Sequence, residues 1–193
     1  MAKKLVLASA SPRRSEILSV AGFEFDIIPS KAEEISEGLP PEEAARANAL
    51  LKAKDVFSNH PEGTAVVGAD TVVTIDGEIL GKPKDREDAF NMLKSLSGRK
   101  HYVVTGYAVI SEDFEISAFC STEVVFRKLS DKEIYAYIDT LEPMDKAGSY
   151  AIQEKGSLFI ESMNGDFFNV VGLPVSEIAE ILKKLGVYPI WQK

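Results

Sequence analysis

The sequence predicts an α/β fold: a single domain over residues 1–193, with a mixed twisted sheet flanked by helices and two lobes about a cleft. Two patterns carry that expectation. In the N-terminal part, short apolar runs alternate with segments of helical character, which builds a sheet covered by helices. In the middle, residues 101–110 and 116–127 are two long strand-like runs, a meander that makes the sheet mixed. No internal repeat, low-complexity stretch or linker interrupts the chain, and its 193 residues can bury a substantial core as one domain.

The elements follow in order. Residues 5–8 predict a buried strand and residues 9–11 a small-residue turn. Pro12 suits the first position of a helix over 12–21, with Ser11 as its cap and Gly22 as its terminator. Residues 23–28 alternate as a strand, and 31–39 form a polar loop carrying Glu33 and Glu34. Pro40-Pro41 opens a slim, alanine-rich helix to about residue 57, with Glu42 and Glu43 where the helix dipole favours them. A turn spans 59–63. The apolar run 65–75 is a strand, Asp76-Gly77 a tight hairpin turn, and 78–80 the returning strand. Asp85 starts a helix that Gly98 closes, and Ser130 with Glu133 makes a capping box for a helix to about 140. Residues 146–172, rich in glycine and aromatics, predict loop, short strands and turns, and 174–185 the last helix.

Composition sets bounds on function. The net charge of −8, from 22 basic and 30 acidic residues, argues against wrapping a long nucleic acid, which needs a basic stripe. A small phosphorylated ligand on a local basic cluster remains compatible. Cys120 is the one cysteine, which removes a disulfide framework or a cysteine metal site and leaves packing in a strand as its expected role. The N-terminal segment lacks the pattern of a signal peptide, and no apolar run reaches the roughly 18 residues of a membrane helix. A cytoplasmic protein without membrane contact is the expectation.

Several residues stand out for chemistry. Arg13 and Arg14 fall in a first helical turn, the end that disfavours cations. Either an anion sits between them and the backbone N–H groups, or both side chains bend into solvent. Asp70 lies in Val66-Val67-Gly68-Ala69-Asp70-Thr71-Val72-Val73, among neighbours that want burial. An unpaired carboxylate there is costly, so Asp70 has a cation, a network or a reaction to serve, unless it caps a bulge near Gly68. Lys82 follows the hairpin and could pair with Asp70, hold a phosphate or simply be solvated. Lys52 and Lys54 do not share a helix face, so at most one reaches a site. One of Glu33 and Glu34 could ligate a divalent cation, though a charged loop is the commoner case. Gln153 offers a donor and an acceptor, which suits the edge of a nucleobase. With only His60 and His101 present, a catalytic triad or multi-histidine metal site is disfavoured, and the glycine-rich loops of nucleotide motors and dinucleotide enzymes are missing. What remains suits metal-assisted attack of water on a phosphoanhydride.

Six segments together resemble the Maf family of nucleoside triphosphate pyrophosphatases: Leu7-Ala8-Ser9-Ala10-Ser11-Pro12-Arg13-Arg14, Val67-Gly68-Ala69-Asp70-Thr71-Val72-Val73, Gly81-Lys82-Pro83, Leu96-Ser97-Gly98-Arg99, Asp145-Lys146-Ala147-Gly148-Ser149-Tyr150-Ala151-Ile152-Gln153 and Val171-Gly172-Leu173-Pro174. They run from the first strand to the last helix. The resemblance implies hydrolysis of a nucleoside triphosphate to monophosphate and pyrophosphate with a divalent cation such as Mg2+ or Mn2+, on an α/β fold similar to the inosine triphosphate pyrophosphatases. It implies Asp70 as the group that activates water. Arg13, Thr71 and Gln153 would match positions that set substrate preference, Ser9, Arg14, Lys52 and Lys82 would line the phosphate site, and Glu34 would be the metal ligand. Tyr150-Ala151-Ile152-Gln153 resembles the branch acting on dTTP and UTP. The same chemistry on 7-methyl-GTP or other modified nucleotides stays open, as does a nucleotide-binding regulator of cell division, since the family name reflects blocked septum formation. A homodimer also stays open.

Overall fold

The computed structural model describes residues 3–35, 38–60 and 62–192. Residues 36–37 of the predicted 31–39 loop and residue 61 of the predicted 59–63 turn lie outside them. The strands are β1 (Lys4–Leu7), β2 (Asp26–Ile27), β3 (Thr64–Ile75), β4 (Glu78–Leu80), β5 (Lys100–Ser111), β6 (Phe114–Phe126) and β7 (Ile160–Asn164). The helices are α1 (Pro12–Val20), α2 (Pro41–Asn59), α3 (Arg86–Leu96), α4 (Asp131–Ile138), α5 (Phe167–Val171) and α6 (Val175–Lys184). The strands pair into one seven-stranded sheet, in the order β2-β1-β3-β5-β6-β7 with β4 on β3. β1 is parallel to β2 and β3, while β4 and β7 run antiparallel to β3 and β6, so the sheet is mixed as expected. Among the described residues no helix is long and apolar enough to cross a membrane.

Local chemistry fixes several element ends. The Asp85 side chain accepts from Asp88 N–H at the start of α3, and Ser130 and Glu133 form both bonds of the capping box on α4. Asp76 and Gly77, at φ 55° and 84°, make a hairpin turn in the left-handed region that a two-residue β-hairpin requires.

By internal contacts the chain divides into two compact units. The first takes in the described residues up to Asp70, Thr105–Cys120, and those from Gly172 on. Its core is Val6, Val66, Ala108 and Ile110 from three strands, with Ala8 just past β1, against Ala49, Ala53 and Val56 of α2. The second holds Thr71–Val104 and Ser121–Val171. Its core gathers Leu93 and Leu96 of α3, Ile134 and Ile138 of α4, and the aromatics Phe126, Tyr137, Tyr150 and Phe159.

Three expectations need correction. The predicted strand 23–28 pairs only as Asp26–Ile27, both exposed at the end of the sheet, while Phe23 is buried outside any ladder. Ser11 stands at the N-cap of α1, but its side chain makes no capping bond; its N–H donates to Ser9 Oγ at 3.3 Å instead. The stretch 146–172 contains a helix, α5, whose first N–H groups at Phe168 and Asn169 donate to Asp166 Oδ1.

Candidate functional site

In the first unit, a cluster of charges forms where α2 crosses β3. Gly68 permits that crossing. A methyl group there would sit 2.3 Å from Ala49 O and 2.8 Å from Ala53 N, so any larger residue would push the helix away. Gly68 thus serves helix packing, and Asp70, two residues on along the strand, falls on the same face. Lys52 Nζ meets Asp70 Oδ1 at 2.7 Å, and Asn48 Nδ2 lies 3.4 Å from Asp70 Oδ2. Both carboxylate oxygens therefore face donors from α2. Asp70 is 8% exposed, and the partner the structure gives it is Lys52, not Lys82.

Lys52 also bridges to Glu34 Oε1 at 2.6 Å, so one ammonium holds the two carboxylates. The loop that carries Glu34 is tied to α2 by side chains. Asn48 Oδ1 accepts from Ile35 N–H, and its Nδ2 donates to Ile35 O. About two turns further on, Asp55 Oδ2 accepts from Ser30 Oγ and Lys31 N–H, and these bonds hold its carboxyl below the usual carboxylate range. Lys54 points elsewhere, to Glu115, so only one of the two lysines reaches this cluster.

The strand–turn–helix at residues 4–20 stands in the same unit. Arg14 donates from Nε to Gly172 O at 2.8 Å and from Nη1 to the buried Ser9 Oγ at 2.9 Å. It is thereby pinned to the scaffold, not bent into solvent. Burial pulls the Arg14 guanidinium below its ordinary value, Asp70 and Glu34 pull it back up, and Arg13 adds to the depression. Arg14 therefore lies within electrostatic reach of all three. Arg13 is half-buried at the first turn of α1, whose N–H groups carry no side-chain cap.

Three expected residues belong to the second unit. Thr71 follows Asp70 in β3 and is half-buried. Lys82 is exposed just after β4 and forms no ion pair among the described residues. Gln153 lies exposed in a turn between two 3-10 segments, Ala147–Ser149 and Lys155–Phe159.

Asn48 is the residue that the sequence reading passed over. The signal is there in the spacing: Asn48, Lys52 and Asp55 sit at i, i+4 and i+7 on a helix otherwise lined with alanine, a polar stripe along one face. For a divalent cation, no group of three or more His, Cys, Asp or Glu gathers among the described residues. Glu34 and Asp70 nonetheless face the same point, as their shared lysine marks. Two carboxylates suit a hard cation that completes its shell with water and phosphate oxygens.

Comparison with known proteins places the chain. The family model described as Maf-like protein matches residues 4–185. A dTTP/UTP pyrophosphatase of Thermococcus gammatolerans is 56% identical over 182 residues, covering 94% of this chain and 96% of that protein. One from Bacillus pumilus is 48% identical over 187 residues, covering 96% and 98%. Among solved structures, a nucleoside-triphosphatase described as a dITP/XTP pyrophosphatase, from Mycobacterium abscessus, aligns over 94% of this chain and 98% of its own with a TM-score of 0.44 and 16% identity. With the family match running through nearly the whole length, this chain belongs to the Maf-like proteins.

Proposed function

We propose that this protein hydrolyses nucleoside triphosphates, dTTP and UTP preferred, to the monophosphate and pyrophosphate. The observation that carries the chemistry is Asp70, a buried carboxylate with donors on both oxygens, sharing Lys52 with Glu34. The family match runs through both compact units, which supports reading the chain as one catalytic domain, and in this reading it acts in the cytoplasm.

In this reading Asp70 takes a proton from water as the water oxygen bonds to the α-phosphorus. The bond from that phosphorus to the bridging oxygen breaks, and pyrophosphate leaves with the electron pair. Arg13, Arg14, Lys52 and Lys82 offset the charge of the phosphates, and the uncapped N–H groups of α1 supply further donors. Ser9 holds Arg14 in place for that task. Glu34 and Asp70 would hold a divalent cation such as Mg2+ or Mn2+, which when bound supplies Lewis-acid polarisation of a phosphoryl oxygen. Gln153 and Thr71 would meet the base. A glutamine amide matches the N3–H and a carbonyl of thymine or uracil, an edge those two bases share.

The test is pyrophosphate release from a panel of triphosphates. dTTP and UTP should be used within a modest factor of each other, and CTP, ATP, GTP and 7-methyl-GTP poorly, because a mismatched edge leaves the Gln153 amide and the base's own polar groups unpaired in the bound state. Asp70→Asn should lower kcat by ~10²–10⁴, the usual loss for a missing general base. Activity should vanish with a chelator and return with a divalent ion. A purine triphosphate as best substrate would overturn the base assignment, and normal turnover in Asp70→Asn would remove that residue from the mechanism.

A further inference from the structure

The second unit contains a carboxylate that the chemistry above does not use. Glu142 has its side chain only 3% exposed. Its Oε1 accepts from Tyr137 Oη at 2.8 Å and from Gly156 N–H at 3.1 Å. Its Oε2 accepts from Lys155 N–H at 3.2 Å and from Lys155 Nζ at 3.3 Å. The Tyr137 hydroxyl, in turn, accepts from Ala151 N–H at 3.3 Å. These bonds converge on one short piece of chain. Ala151 lies two residues before Gln153, and Lys155 and Gly156 lie two and three residues after it.

The packing around the pair is as tight as its bonding. A methyl group on Gly156 would sit 2.7 Å from Ala151 O and 2.8 Å from Tyr137 Oη, so the turn closes on itself only with glycine there. The Tyr137 ring stands edge-on to Phe159 at 4.9 Å between centroids. Leu141, just before Glu142, adopts φ 62°, a left-handed conformation that a leucine rarely takes. Gln153 itself is exposed and makes no hydrogen bond to the protein among the described residues. Its orientation must come from the chain on either side of it.

We propose that Glu142 and Tyr137 are positioning residues for base selection: a buried carboxylate–phenol pair clamps both ends of the turn that carries Gln153. The inference rests on the reading of Gln153 as the group that meets the base. A glutamine on a mobile turn presents donor and acceptor in many directions, and a mismatched base can then find some arrangement that satisfies it. A turn fixed at both ends offers one arrangement, and binding does not have to order it.

The experiment compares UTP with CTP in wild type, Glu142→Gln and Tyr137→Phe, with kcat and KM measured separately. Glu142→Gln keeps the volume but replaces an acceptor with an amide NH2 facing donors. Tyr137→Phe removes one oxygen and keeps the ring on Phe159. Both variants should lower the UTP-over-CTP ratio of kcat/KM by about tenfold, through a raised KM for UTP, while kcat for UTP stays within about threefold. Should Glu142→Gln fail to fold, Tyr137→Phe carries the comparison alone. A folded variant with the wild-type ratio, or with kcat lowered equally for both nucleotides, overturns the inference and leaves the role of Gln153 standing. A wild-type enzyme that does not distinguish UTP from CTP overturns the role of Gln153 and the inference with it.

Discussion

Lys52 and Asp70 are 13% and 11% exposed in their side chains, so their ion pair is largely withdrawn from water. Deleting one member of such a pair leaves the other charge without compensation, at a cost of about 3–5 kcal/mol. Lys52→Met should therefore lower stability by roughly that amount in urea denaturation, reduced somewhat because Glu34, the other partner of Lys52, is well exposed. Adding Asp70→Asn to Lys52→Met should recover part of the loss by removing the stranded charge. A double variant less stable than Lys52→Met would contradict the pairing. On its own, Asp70→Asn has a subtler effect. If its amide oxygen turns to Lys52, its NH2 must face the NH2 of Asn48, whose orientation Ile35 fixes from both sides. Two facing donors cost about 1–3 kcal/mol, so this variant should fold but melt lower than wild type.

At the scale of elements, α2 organises the first unit, because one face packs on β3 and the same face carries Asn48 and Lys52. Gly68→Ala should destabilise by about 1–3 kcal/mol through overpacking against Ala49 and Ala53, and should lower kcat/KM by shifting Lys52 off Asp70. Gly81→Ala, where nothing lies within 4 Å of the added methyl, is the stability control and should melt near wild type. Equal melting temperatures for the two variants would show that the helix does not depend on Gly68. The same element shows what was legible in the sequence. Most of the caps and turns were readable because they are local, as with Asp85 and Asp88, Ser130 and Glu133, and Asp76 and Gly77, whereas the expected Ser11 cap does not form. Asp70 stood out as a charge in an apolar run. Asn48 did not, since its two partners, the Ile35 backbone and Asp70, come from elements far off in the chain. The five residues of α5 are too few for a period to register, while the alternation over 23–28 suggests a longer strand than the two residues that β1 pairs.

For the molecule as a whole, β3, β5 and β6 each begin in one compact unit and end in the other, so the two cores are joined through continuous strands. Loss of one core should then be felt in both. His101 offers a way to weaken one core selectively. It is fully buried in the second unit, edge-on to Phe126 and bonded through Nε2 to the Tyr150 hydroxyl at 2.8 Å. Burial pushes its pKa down from 6.5 to about 4, and its Nδ1 has no hydrogen-bond partner among the described residues that could offset the loss of water. Between those two values the unfolded chain holds a proton on this ring and the folded chain does not. Stability therefore rises with pH across that window: the contribution is complete above pH 6.5 and is lost as pH falls toward 4, about 3 kcal/mol in all. Trp191, the only tryptophan, belongs to the first unit and lies over Gly22, with its Nε1 donating to Ala21 O. Its fluorescence reports that unit, while circular dichroism reports the helices of both. As pH is lowered from 6.5 to 4, the melting temperature should fall by both probes together, and His101→Asn, though less stable throughout, should show a shallower fall. An unchanged slope in His101→Asn would take this histidine out of the acid response. A Trp191 transition that stays put while the dichroism transition falls would mean that the two cores unfold independently despite their shared strands.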